Sequence, residues 1–167
     1  RLDEAMLARA RAMIARMPDP SSVAQALQHA ALLGRGFEPG LLTHVCLKAG
    51  AGREQTRHAI EALVNAGLLQ RLGGGERLAF AHNALRDGLF GEVSSRTDAK
   101  RLHALVAQGI RAWAGDDLER HAEVLAELGQ SSPAAVEAML VDARAAGLPF
   151  KKKKLAFPTA ASRSNSI

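Results

Sequence analysis

Cysteine is almost absent from this sequence: Cys46 stands alone in 167 residues, which excludes an internal disulfide and any zinc site built on several thiolates. It lies in the apolar helical run Leu41-Leu42-Thr43-His44-Val45-Cys46-Leu47. His44 is two positions away on a different helix face, so Cys46 is expected to be buried filler rather than an activated thiol. Long apolar runs are missing as well. Nothing approaches the roughly 20 residues that span a bilayer, and the N-terminus lacks the basic-then-apolar layout of a secretory leader. No membrane partner and a cytoplasmic location are the expectations that remain.

Catalytic signatures are equally scarce. There is no Gly-x-x-x-x-Gly-Lys-Ser/Thr, and Gly73-Gly74-Gly75-Glu76 lacks the lysine and the following helix that a phosphate loop needs. His-Glu-x-x-His is absent, and His103 and His121 fall on separate predicted helices without nearby cysteines, so no metal site is expected. The paired carboxylates Asp116-Asp117 sit in a Gly-Asp-Asp-Leu turn, where they suit the start of the next helix better than acid-base work. The chain is therefore predicted not to be an enzyme by itself.

Charge is abundant but unevenly placed. With 22 basic and 17 acidic residues the net charge is +5, yet Lys151, Lys152, Lys153, Lys154 and Arg163 supply that whole excess from a segment without acids. The first 150 residues are neutral. A basic isoelectric point thus belongs to the tail and is not an argument for a nucleic-acid-binding body. Four lysines with only Phe150 and Phe157 nearby make a minimal cluster, expected to be solvated rather than bound to nucleic acid or lipid.

Helical spacing of Leu2, Met6, Leu7, Met13, Ile14 and Met17 predicts an amphipathic helix over Leu2–Met17, stopped by Pro18-Asp19-Pro20-Ser21-Ser22, where a serine is expected to cap the next helix. That second helix carries Val23, Leu27 and Ala30 to Leu33 and ends at Gly34. Gly36-Phe37-Glu38-Pro39-Gly40 reads as a turn, followed by a short helix Leu41–Lys48 and a third helix Glu54–Ala66 with Ile60, Leu63 and Val64 on one face and Gly67 at its end. The period then changes. Residues 68–72 and 77–81 flank Gly73-Gly74-Gly75 as two strands of a hairpin.

Further helices are predicted over Asn83–Val93, Asp98–Trp113, Leu118–Leu128 and Pro133–Ala145, with Leu102, Leu105, Val106, Ile110 and Trp113 inward on the second of these. The expected fold class is mostly α: a winged-helix domain of three helices plus a two-stranded β-hairpin wing, followed by an α-helical, TPR-like extension. The expected organisation is a linker helix over 1–20, the winged helix over 21–95, the extension over 96–146 and a flexible basic tail over 147–167. Because Arg1 opens inside a helix, the chain is expected to be a piece of a longer protein.

Four local patterns occur in one order: Ala30-Ala31-Leu32-Leu33-Gly34-Arg35-Gly36-Phe37, Leu63-Val64-Asn65-Ala66-Gly67-Leu68-Leu69, Phe80-Ala81-His82-Asn83-Ala84-Leu85-Arg86-Asp87 and Arg101-Leu102-His103. Over about residues 10 to 145 the chain resembles the winged-helix region of bacterial signal-transduction ATPases of the STAND class, the MalT-like regulators that join an AAA-type motor to helical repeats. The resemblance implies a preceding nucleotide-binding domain and following helical repeats as partners, with ATP or ADP held by the full-length protein and no cofactor in this segment. It also implies a role for His82, since this stretch is similar to the Met-His-Asp segment of related STAND proteins, whose histidine contacts the ADP β-phosphate. Ala81 stands at the methionine position and Asn83 at the aspartate position. A histidine just before a helix also lies near unbonded amides and the positive dipole end; otherwise it caps its own helix or packs under the hairpin.

The expected function is a regulatory and interaction module that couples the nucleotide state of an ATPase domain to downstream helices. The alternative is a DNA-binding winged helix that presents Arg53, Gln55, Arg57 and His58 to the major groove. On that predicted helix Glu54 and Glu61 stand among Gln55, Arg57, His58 and Asn65, so the reading face mixes both signs and nucleic acid is the less favoured partner.

Overall fold

The computed structural model describes residues 2–148, and the lysine cluster at 151–154 lies outside them. The chain is mostly helical, with one small three-stranded antiparallel sheet, and it divides into two compact units between Arg96 and Thr97.

In the first unit, α1 (Leu2–Ala15) buries Leu7, Ala10 and Ile14, a spacing of three and four residues that lines one helix face. Helix α2 (Pro20–Leu33) is the centre of the unit, with Val23, Ala26, Leu27 and the run Ala30 to Leu33 all buried. Its cap is Asp19 rather than the expected serine, and the carboxylate accepts from the Ser22 amide at 3.4 Å. Pro20 decides this: it needs no amide bond in the first turn, so the capping position moves one residue ahead of it.

Gly36-Phe37 is a short strand, β1, rather than a turn, and the helix after it, α3 (Pro39–Lys48), begins two residues earlier than expected. The glycine and proline favour a turn locally, but Phe37 is 4% exposed, and pairing with a neighbouring strand satisfies its backbone while burying the ring. Helix α4 (Arg53–Asn65) inserts Thr56, Ala59, Ile60 and Leu63 against α2 and α3, while Val64 is half-buried. It ends at Gly67, whose φ of 77° requires glycine, and there Leu68 N–H donates back to Leu63 carbonyl at 3.0 Å.

Strands β2 (Leu69–Leu72) and β3 (Arg77–Phe80) form the predicted hairpin, joined by a tight 3₁₀ turn at Gly73–Gly75. β3 is central, in the order β1-β3-β2, with Leu69 opposite Phe80 and Gly36 opposite Ala79. The unit closes with α5 (Asn83–Ser94), which packs against α1 and α2 and is tied to α1 by an Arg11–Glu92 ion pair.

The second unit contains α6 (Ala99–Ala114), a 3₁₀ turn (Leu118–His121), α7 (Ala122–Ser131) and α8 (Pro133–Ala145). The single helix expected from Leu118 to Leu128 is thus a turn followed by a helix that continues to Ser131. Val106 and Ile110 are buried as expected and Leu102 and Leu105 half-buried, but Trp113 is 39% exposed and fully buried His103 takes an inward place instead. Lys100 and Ala104 share a groove with Pro133 and Glu137, while Gln108 Nε2 donates to Asp142 Oδ2 at 2.9 Å. Helices α6 and α8 therefore run side by side in one direction, and α7 is the returning helix between them. No described helix is long and apolar enough to cross a membrane.

Candidate functional site

His82 stands at the junction of β3 and α5 with an extended backbone, φ −134° and ψ 121°. The two residues before it are held from both sides: Phe80 N–H donates to Arg35 carbonyl at 3.0 Å, and Ala81 N–H to Leu68 carbonyl at 3.1 Å. The first helical bonds of α5 follow at once, from Leu85 and Arg86 amides to His82 carbonyl at 3.1 and 3.4 Å. The backbone at His82 is thus fixed in space while its side chain is exposed and makes no bond to the helix it precedes. Neither capping nor packing beneath the hairpin accounts for it. An imidazole there can donate to an anion that also meets the amides of the first turn and the positive end of the helix dipole.

One turn along α5, Arg86 is buried, with 3% exposure. Its Nε donates to Ala31 carbonyl at 2.9 Å, and the guanidinium lies 4.7 Å from the centre of the Phe90 ring. Ala31 belongs to the last turn of α2, whose carbonyls lack a partner within the helix, so a cation from α5 fills the gap and offsets the negative dipole end. Nη1 of Arg86 also reaches Asp87 Oδ1 at 3.4 Å, and the other oxygen of that half-exposed carboxylate receives Arg35 Nη2 at 3.3 Å. Two of the patterns quoted from the sequence, Ala30–Phe37 and Phe80–Asp87, are therefore one constellation in space. The sequence singles out His82 as a candidate but not Arg86, because an arginine inside an amphipathic helix reads as solvent-facing.

The face of α4 is differently organised. Gln55 Nε2 donates to Asp19 Oδ2 at 3.0 Å while its Oε1 accepts from Gly52 amide at 3.4 Å, so this side chain braces the start of α2 beside a groove of about 490 Å3. Bonds to Ser22 and Gln55 hold the Asp19 carboxyl below the usual range. Arg57 donates to Glu54 at 2.8 Å, which lowers the glutamate and raises the arginine, and Arg57 also lies 3.0 Å from His58 Nε2. Arg71 pairs with Glu61. Arg53 and His58 are exposed on this face, but the basic groups beside them already have acidic partners, which weakens it as a phosphate-binding surface.

The other candidates are dispersed. Cys46 is buried with its sulfur 3.7 Å from His29 Nδ1, a partner on α2 rather than the His44 nearby in sequence. Burial pushes the thiol up to about 12 and holds His29 below its ordinary value, so the pair is a neutral core contact without thiolate chemistry. His103 Nδ1 lies 2.7 Å from Ser132 Oγ, fixing the single residue between α7 and α8, and burial lowers this imidazole too. Asp117 precedes the 3₁₀ turn without a capping bond and instead pairs with Arg120 at 3.4 Å. Among the described residues no three His, Cys, Asp or Glu side chains group closely enough to hold a metal ion. No family model, curated protein or solved structure matches this chain.

Proposed function

We propose that this chain is a regulatory and interaction module of a STAND-type signalling ATPase, in which a winged helix couples the nucleotide state of a neighbouring AAA-type domain to helices that follow it. The observation that carries this reading is His82: the two residues before it are bonded to Arg35 and Leu68 on either side of β3 and its own carbonyl accepts the first bonds of α5, yet its imidazole is exposed at the head of that helix. Such a group can distinguish two states of a partner domain, one that presents a phosphate to it and one that does not, and a differential contact is what coupling requires.

The layout of both units supports the same reading. Helices α2, α3 and α4 followed by a hairpin match the winged-helix order, with β1 as the third strand of the sheet. In the second unit α6 and α8 lie side by side with α7 returning between them, as in TPR-like stacks where the first helix of one repeat packs beside the first of the next. The charge-paired face of α4 speaks against the DNA-binding alternative.

The test is ADP affinity in the longer protein that contains this segment together with its nucleotide-binding domain. His82→Ala is expected to weaken ADP by about tenfold, the value of one charge-assisted hydrogen bond. Unchanged affinity would remove His82 from the site. Salt-dependent binding of duplex DNA by residues 1–150 would favour the alternative.

A further inference from the structure

We propose that Arg86 is the positioning residue of the His82 site, and that the Arg35–Asp87 pair is the part of this clasp through which outside charge regulates it. The proposal rests on the reading of His82 above, for its meaning though not for its test.

The partners of Arg86 include three different kinds on one rigid plane: Nε goes to Ala31 carbonyl at 2.9 Å, one face covers Phe90 at 4.7 Å, and Nη1 faces Asp87 at 3.4 Å. An ammonium group carries the same charge but lacks this planar fork, so lysine cannot hold the carbonyl and the carboxylate while lying flat on the ring. Through the backbone the same residue is bonded to the site, because its amide donates to His82 carbonyl. The place of the first turn of α5 is thus set by a charge buried against the last turn of α2.

That arrangement resists gradual change. A shift of α5 large enough to break the Ala31 bond takes from a guanidinium buried in the core one of the acceptors that offset its lost hydration, so small displacements of α5 are opposed. Only the outer edge of the clasp meets solvent. Asp87 divides its two oxygens between Arg86 and Arg35, and both Asp87 and Arg35 are half-exposed or more. A phosphate or carboxylate that draws Arg35 away, or a cation that draws Asp87 away, weakens the hold on Arg86 and loosens the turn that carries His82. An exposed ion pair with one contact costs little to exchange, which suits it to regulation.

The experiment is residue-resolved amide hydrogen exchange on the whole chain as wild type, Arg86→Lys, Arg86→Met and Asp87→Asn. Far-UV circular dichroism checks that each variant stays helical. Expected is a loss of protection of about tenfold at Leu85 and Arg86 in both Arg86 variants, with the lysine giving no rescue. Asp87→Asn is expected to lose about threefold there. The β2–β3 amides Gln70 and Ala79 keep wild-type protection throughout. Imidazole proton resonances of His82 should move in Arg86→Lys, while those of His58, on α4, do not. Wild-type protection in Arg86→Lys, or an equal loss across Gln70 and Ala79 from general destabilisation, would overturn the proposal. An unchanged Asp87→Asn would overturn the regulatory half. No nucleotide enters these readouts, so a failure of ADP to sense His82 leaves their outcome intact.

Discussion

Two glycines in α5 should respond to the same substitution with opposite sign. Gly88 and Gly91 are both interior to the helix, where alanine is favoured over glycine by about 0.5–1 kcal/mol because it restricts the unfolded chain and suits helical backbone. A methyl group at Gly91 meets nothing within 4 Å, so Gly91→Ala is expected to gain that amount. At Gly88 the added carbon would lie 3.1 Å from Leu7 Cδ1, 3.4 Å from Leu7 Cγ and 3.5 Å from Asp3 Cβ. Restoring ordinary contact requires Leu7 to withdraw by about 0.5 Å. The approach to Asp3 Cβ is ordinary contact, so the strain falls on Leu7, which at 8% exposure is enclosed and has little room to turn aside.

Overpacking of this kind costs about 1–3 kcal/mol against the helical gain, which leaves Gly88→Ala about 0–2.5 kcal/mol less stable. Urea unfolding of the whole chain, followed by far-UV circular dichroism, separates the two variants by their midpoints at unchanged slope. If Gly88→Ala raises the midpoint as much as Gly91→Ala does, the close approach of α1 to α5 is refuted, and with it the packing that backs the His82 helix.

Acid should weaken the fold through its buried histidines. Burial holds His29 and His103 below their ordinary 6.5, so the unfolded chain binds more protons as pH falls, and stability is level above that value and declines below it. A urea midpoint that stays constant from about pH 7.5 down to about pH 5.5 would contradict their burial. Cys46, 3% exposed with its thiol pushed up to about 12, should react with a disulfide reagent at neutral pH only after urea unfolds the chain, and prompt labelling of the folded protein would show otherwise. His82→Ala should alter stability by less than about 0.5 kcal/mol, since the side chain is exposed and bonds nothing in its own helix. A loss above about 1 kcal/mol would reveal a structural task and count against a phosphate contact.

Local information was enough for most of the elements. The span Pro133–Ala145, the start of α5 at Asn83 and the hairpin about Gly73–Gly75 are legible because helical and strand periodicities, proline at a first turn and glycine at a tight turn act over a few neighbouring residues. His82 was legible as a candidate for the same reason: it stands where a strand pattern gives way to a helix. The neutrality of the first 150 residues likewise needs no coordinates.

Tertiary structure decided which side chains left the surface. Arg86 is buried by a carbonyl 55 residues away, His103 by a hydroxyl 29 residues away, and Cys46 meets His29 across 17 residues. None of these partners is visible within one helical turn. Phe37 becomes a strand residue because β3 offers it an edge, and Trp113, on the same stripe as Val106 and Ile110 but in the last turn of α6, stays 39% exposed. A periodic pattern specifies which face of a helix turns inward, but a polar group is buried only when a distant partner offsets its lost hydration, and that partner exists only in the folded chain.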